Sequence, residues 1–466
     1  MKNWTFKKWN NILGWAVFGI ALVTYLSTIE HKFSFWDTGE YISSAVKLEV
    51  THAPGAALFQ LVGAVAAIFS FGNEAYYSLI INAMSALFSA FTILFLFWTI
   101  THLVRRILNK EMDELSSAEM ISVLFSGVIG SLAFTFSDTF WYSAVEGEVY
   151  SMASMFIALV VWLITKWENE YHDSDSQRWI ILIFFITGLS VGVHMMVMLA
   201  VPAVCFIYYA RNYKFTWKNF IIANFITLGV LAFIFKGIFP IVMRLFGKSE
   251  IFFVNSVGLP FHSGTIIAFM ILVTFCYYII RYTRKTKNHL YQTAALSVVY
   301  MIIGFSCWMM IPIRANANPP MNLNNPDTAI GMLDYYNREQ YGDWPTIYGQ
   351  NYTAHLDAHG IERNEDGGYK TIKTGDVYEK NEKTGKYDKV DERTSYVYNK
   401  DHVSFLPRMY NSDRTVMNNY VSMYGAPDFE FNYSNENIVD NPHAKKAFDA
   451  FKKAAKYKLP EADAAL

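Results

Sequence analysis

The sequence predicts an all-α polytopic membrane protein of about nine crossings, followed by a soluble α+β region on its outer face. Three observations predict it. Hydrophobic residues make up 53% of the 466, and long apolar runs are confined to residues 1–311. Those runs recur at about the 20 residues that a helix needs to cross a hydrocarbon layer. Lys and Arg cluster on alternate connections, as the positive-inside rule requires. The division follows: 1–311 is read as the transmembrane domain and 312–466 as an extracytoplasmic soluble domain. A formal net charge of −1 gives no reason to propose nucleic acid as a partner.

Taken in order, the runs are 12–29, 77–101, 119–137, 150–166, 219–237, 263–281 and 290–311. The stretch 179–210 is too long for one span and is interrupted by Gly188, Gly192 and His194, so it reads as two short helices. Lys2, Lys7 and Lys8 place the N-terminus in the cytoplasm. Arg105, Arg106 and Lys110, then Lys166 and Arg178, then Arg211, Lys214 and Lys218, then Arg281, Arg284, Lys285 and Lys287 fall on the same side. They agree only if 56–71, which is short for a span, lies at the outer interface as an apolar helix. The first run is basic at its start, but "TYLSTIEHKF" offers no small-residue cleavage site, so it reads as an anchor. Cys205, Cys276 and Cys307 all fall in membrane segments, which argues against a disulfide framework in the tail.

This topology sends the candidate chemical groups to one compartment. The first outer loop carries Asp37, Glu40 and His52; the second, "FSDTFWYSAVEGEVYSMAS", carries Glu146 and Glu148. His194 lies at the outer end of the fifth span, and "IPIRANANPPMNLNNPD" supplies Arg314 as the last span exits. Ionisable groups at membrane depth are costly and tend to be functional. Carboxylates beside an arginine suit deprotonation of a hydroxyl while a phosphate leaves, because the guanidinium fork matches phosphate geometry. Plainer roles stay open for each residue. Asp37 and Glu40 have capping-box spacing. His52 could belong to the turn that opens the interfacial helix, with Pro54 in its first turn. Glu146 and Glu148 could be solvated loop charges, His194 could bond a neighbouring helix, and Arg314 could snorkel.

Together "FWDTGEYI", "THAPG", "AVEGEVYS", "GLSVGVHM", "IPIRANANPPMNLNNPD" and "NREQYG" resemble a bacterial membrane family long of unknown function, related to a vertebrate transmembrane protein O-mannosyltransferase. The first loop is similar to that of GT-C superfamily glycosyltransferases, where an acidic motif is followed by His-Pro-Pro; here Ala53 replaces the first Pro. The resemblance spans roughly residues 10–345 and implies a GT-C-like fold. It further implies a polyprenyl-phosphate sugar donor, with mannose the expected sugar. The expected acceptor is Ser or Thr of an exported protein, and transfer would invert the anomeric centre. Membrane lipid is an expected partner, and the expected location is the multi-pass inner membrane. By position, Asp37 would be the catalytic carboxylate, with Glu40 and His52 shaping its pocket. Glu146 and Glu148 would form a second acidic site, and Arg314, with His194, would hold the lipid phosphate. No cofactor is demanded, although Asp37, Glu40 and Glu146 could hold a divalent metal.

The tail predicts turns at Asp366-Gly367-Gly368 and Thr384-Gly385 around a hairpin or meander, and an amphipathic helix over 442–457. Arg338, Tyr341 and Arg408 are its candidate contact residues. Rival readings remain. A lipid-linked sugar transporter or flippase would show internal repeats, which are not evident. A non-catalytic anchor leaves the carboxylates unexplained, and a transferase could instead use a lipid or polysaccharide acceptor.

Overall fold

A computed structural model describes residues 2–173, 175–342, 345, 347–357, 359–407 and 414–424. The expected helix over 442–457 and Arg408 lie outside the described residues. The chain divides into two compact units after Arg338.

The first unit is helical. Its elements are α1 (Lys2–Ser27), α2 (Thr38–Lys47), α3 (Ala57–Ala67), α4 (Tyr77–Ile107), α5 (Ser117–Thr135), α6 (Asp138–Val145), α7 (Val149–Asn169) and α8 (Gln177–Ser190). They continue as α9 (Val201–Asn212), α10 (Trp217–Ala232), α11 (Phe239–Ile251), α12 (Ser263–Thr286), α13 (His289–Phe305), α14 (Met310–Ala315) and α15 (Ala329–Asn337). Among the described residues, 8 helical stretches are long and apolar enough to cross a membrane. The apolar helices Ala57–Ser70 and Gln177–Ser190 are shorter. The chain is therefore polytopic, and α8, one of the nine predicted crossings, is among the shorter helices.

The predicted break at 188–194 is present, and its glycines have packing roles. A Cβ on Gly188 would lie 2.0 Å from the Met301 carbonyl oxygen, and one on Gly304 2.3 Å from that of Phe185. Small residues thus let α8 and α13 approach backbone to backbone. Past Ser190 the chain turns, and the Gly192 carbonyl accepts from Leu58 N at 2.6 Å. The N-terminus of α3 is thereby fastened to the α8–α9 break. Ala57, Phe59, Gln60 and Gly63 of α3 are buried, while Val65, Ile68 and Phe69 remain exposed.

Two boundaries differ from expectation. The helix predicted to end near residue 237 runs on through a π-helical turn at Phe233–Ile238 into α11. Lys236, Arg244 and Lys248 interrupt the apolar run without interrupting the helix. Residues 312–338, read as the start of the tail, pack with the helices. Val50 N donates to the Met321 carbonyl at 3.0 Å, Leu323 N donates to the Val50 carbonyl at 3.2 Å, and Val50 and Asn322 form a parallel bridge. Met332, Tyr335 and Tyr336 are buried in one apolar cluster with Phe305 and Trp308.

The second unit holds β1 (Tyr348–Gln350), β2 (Thr371–Asn381), β3 (Lys386–Tyr396), β4 (Val403–Phe405) and α16 (Arg414–Tyr424). Strands β2 and β3 form the predicted antiparallel hairpin, turning through Gly385 at φ +67°, and β1 pairs antiparallel with β4. The fold is thus a polytopic helical unit with a small α+β unit.

Candidate active site

The acidic cluster is built where the first loop enters α2. Phe35 and Trp36 stand 92% and 93% exposed, and Trp36 holds a left-handed φ of 71°. Asp37 follows at the helix entrance. Its main-chain oxygen accepts the Tyr41 N–H at 2.9 Å, but its side chain makes no capping bond. The capping-box reading of Asp37 and Glu40 is therefore not realised. Ser116 and Glu119 form such a box on α5 instead.

Glu40, one turn on, reaches across to His52. It accepts the His52 backbone N–H at 2.7 Å and the imidazole Nδ1 at 3.1 Å. Burial works against its charged form, but the hydrogen bonds and charge of His52 outweigh it and hold the carboxyl below the usual range. His52 is raised, chiefly by its bond to Glu40; burial and the Arg338 charge oppose the rise. Asp37, Glu40 and His52 form a group whose ligand atoms lie within 4.8 Å of one another. Two carboxylate oxygens and one imidazole nitrogen make an acceptable donor set for a divalent ion. Glu146, the third ligand expected from sequence, is outside that group. It is half-buried and accepts from Ser34 Oγ.

The second loop supplies the roof. Glu30 N bonds the Val145 carbonyl at 3.2 Å, and Asn82 of α4 donates to the carbonyls of Glu30 and Lys32 at 2.6 and 2.9 Å. Gly147, between the two glutamates, lies in close quarters. A Cβ there would meet Ile42, Ile81 and Asn82 at 3.0–3.1 Å. Glu148 is 6% exposed and receives the Thr38 hydroxyl at 3.4 Å. Burial, then the negative charges of Asp37 and Glu146, push its carboxyl up to about 7. Tyr41 lies beneath, 5.8 Å from the His52 ring, and burial followed by the Glu148, Asp37 and Glu40 charges raises its hydroxyl.

The cations sort differently from the sequence expectation. Arg314 Nε donates to the Leu48 carbonyl at 2.5 Å and Nη2 to that of Lys47 at 3.2 Å, so it closes the C-terminus of α2. Arg338, which ends α15 in a left-handed turn, lies near enough to lower both His52 and His194. His194 heads the helical segment before α9. Its Nδ1 accepts from Met196 N at 3.1 Å, which assigns the proton to Nε2. Burial, then Arg338, lowers it, so it is neutral near pH 7. Tyr341 belongs to the second unit and is exposed.

Pro54 does not open α3, which starts at Ala57; it belongs to a turn with a cis Ala53–Pro54 bond. Gly55 adopts φ +80°, and a Cβ there would sit 2.7 Å from Tyr335 Oη. Tyr335, 2% exposed, donates its hydroxyl to the Thr51 carbonyl and lies 3.2 Å from that of His52. Sequence reasoning missed this residue, as it missed Ser34 and Thr38. Tyr335 is 284 positions from Thr51 and has no local signal.

Residues 37–217 match the family model of the "Protein O-mannosyl-transferase TMEM260 N-terminal domain", and residues 342–456 match a family of unknown function, DUF8416. The mouse protein O-mannosyl-transferase TMEM260 is 28% identical over 176 residues, 38% of this chain and 22% of that protein. The Dictyostelium discoideum protein of the same name is 24% identical over 214 residues, 44% of this chain and 24% of its own. Each alignment thus spans about a quarter of the relative's length. No solved structure matches. The first match begins at Asp37 and takes in Glu40, His52, Glu146, Glu148 and His194, while Arg314 and Arg338 lie beyond it. Over residues 37–217, then, this chain is related to the protein O-mannosyl-transferases of the TMEM260 kind.

Proposed function

We propose that the chain is a membrane glycosyltransferase that moves a mannosyl unit from a polyprenyl-phosphate carrier to Ser or Thr hydroxyls of exported protein, with Asp37 as general base. The site faces outward and the N-terminus is cytoplasmic, the arrangement in which the clustered Lys and Arg lie inside. One observation carries the reading. In the acidic cluster, Glu40 is bound to His52, Glu146 to Ser34 and Glu148 to Thr38, whereas the Asp37 carboxylate has no hydrogen-bond partner among the described residues. A half-exposed carboxylate without a partner can accept a proton; one held by two donors on an imidazole ring and its backbone is a weaker base.

Asp37 takes the proton of the acceptor hydroxyl as its oxygen attacks the anomeric carbon from the face opposite the phosphate. The carbon–oxygen bond to the carrier breaks, the electron pair leaves with the polyprenyl phosphate, and the anomeric centre inverts. Arg338, and His52 to the extent that Glu40 favours its protonated form, supply positive charge toward the departing phosphate; His194 Nε2–H offers a neutral donor. Arg314 acts at one remove, by holding the end of α2. Where a divalent metal binds, Asp37, Glu40 and His52 would hold it, and it would supply charge for the phosphate oxygens.

The test compares wild type with Asp37→Asn, using mannosyl-phosphoryl-polyprenol and a Ser/Thr peptide. The expected loss in kcat is about 10²–10⁴-fold with unchanged Tm. Equal rates would assign the base elsewhere, and transfer to lipid or glycan but not peptide would reassign the acceptor. Transfer surviving EDTA would remove the metal from the scheme.

A further inference from the structure

Helices α4 and α7 begin at the acidic cluster and end far from it. At their far ends, with α1, they line an open cavity of about 360 Å³. Lys7, Asn10, His102, Arg105 and Lys166 line it, together with Trp162, and no Asp or Glu is among its lining residues. An adjoining space sharing Lys7 and Lys166 carries Glu111, Asp113 and Glu170.

The cations divide into two kinds. Arg105, 2% exposed, is committed to the frame: it bonds the Lys110 carbonyl at 3.1 Å, Glu111 at 3.0 Å and Asn169 at 2.7 Å. His102 is likewise spent on Glu168 at 2.7 Å. Lys7 and Lys166, by contrast, form no ion pair with a described residue; Lys166 only overlies the Trp162 ring at 5.1 Å. Cations at the C-terminal ends of α4 and α7 complement the helix dipoles, which is a sufficient reason for Lys166. It is no reason for Lys7, which lies near the N-terminal, positive end of α1. The cavity therefore brings together two lysines that form no ion pair with a described residue, and the helix dipole accounts for only one of them. Asn10 adds a polar demand of the opposite kind, since its buried Oδ1 has no hydrogen-bond partner.

We propose that this cavity binds a phosphate ester carrying hydroxyl donors, with Lys7 and Lys166 on the phosphate and Asn10 Oδ1 accepting a hydroxyl. The same chemistry could come from soluble phosphate or from a phosphoglycerol headgroup. The headgroup is favoured because α1 exposes Trp9, Ile12 and Trp15 beside the cavity-lining positions 7 and 10, a surface suited to acyl chains. The inference does not rest on the transferase reading.

The experiment uses the full chain in phosphatidylcholine nanodiscs, with added phosphatidylglycerol or inorganic phosphate. Native mass spectrometry counts retained lipid, and Tm is followed in parallel. Lys7→Gln/Lys166→Gln is compared with Lys214→Gln/Lys218→Gln, a charge-matched control at exposed lysines away from the cavity. Phosphatidylglycerol should be retained by wild type and control, and about tenfold or more weakly by the cavity variant. Because each variant is referenced to its own Tm in phosphatidylcholine, a general loss of stability does not imitate the effect. Inorganic phosphate reproducing the Tm shift, with the same dependence on Lys7 and Lys166, would also support the site and name the soluble ion as its occupant. Equal retention of phosphatidylglycerol by the two double variants would overturn it.

Discussion

Glu148 differs from Asp37, Glu40 and Glu146 in being buried, and its titration sets a stability signature. Its carboxyl titrates near 7 when folded and in the ordinary carboxylate range when unfolded. Between those values the native state binds more protons than the unfolded chain, so stability is full at low pH and falls as pH rises toward 7. Glu148→Gln should remove that fall and stabilise the protein by roughly 1–3 kcal/mol above pH 7, with little effect below pH 4. Thermal unfolding across pH 4–8 checks the sign; a slope unchanged in the variant would place the titration elsewhere. Glu40 is the opposite case. Its pKa is lowered by His52, so Glu40→Gln should destabilise the protein near neutrality, with the difference closing as pH falls through the carboxylate range. Glutamine also removes the carboxylate whose bond raises His52, and a transfer rate as sensitive to Glu40→Gln as to Asp37→Asn would show the pair acting as a unit.

Two elements meet at closest range in α8 and α13, and that contact makes a paired prediction. Gly188→Ala drives a Cβ into the Met301 carbonyl, backbone that cannot swing aside, and should cost at least 2–4 kcal/mol or prevent assembly. Gly229→Ala on α10 has open space within 4 Å and should be neutral or gain up to about 1 kcal/mol from helix propensity. Tm in detergent separates them, and similar values would mean α8 and α13 are further apart. The turn Thr51–Gly55 depends in the same way on α15. Tyr335→Phe keeps the ring and removes the hydroxyl that binds the Thr51 carbonyl, so it should cost about 1–2 kcal/mol. It should also lower kcat through a displaced His52, and an unaltered kcat would show that the turn holds itself.

At the level of the whole molecule, the division after Arg338 can be tested by truncation. A chain ending at Gly342 keeps α15, the Val50–Asn322 bridge and Arg338, and should be extracted as a monodisperse species with the helical unit's Tm. A chain ending at Ile311 loses Tyr335, Tyr336 and Met332 from the core around Trp308 and should aggregate or unfold about 10 °C or more lower. Equal behaviour would show that residues 312–338 are an appendage. Charged groups gather at both ends of α4 and α7: Asp37, Glu40 and His52 where they begin, and Lys7, Arg105 and Lys166, with Glu111, Glu168 and Glu170 beside them, where they end.

The amino-acid sequence alone determined the polytopic class, the positions of most helices, the break at Gly188–His194, the hairpin turning at Gly385 and the loops that carry Asp37, Glu40, His52, Glu146 and Glu148. These are local properties, since apolar run length, turn chemistry and charge spacing are written within one helix or loop. Tertiary structure decided which of those groups touch. It tied Glu40 to His52 rather than to the cap of α2, turned Arg314 onto carbonyls of that helix, brought Arg338 toward both histidines, and placed Tyr335 beneath the turn. Partners hundreds of residues apart share no periodicity or spacing. Their pairing is settled only when the helices pack and each buried donor must find an acceptor.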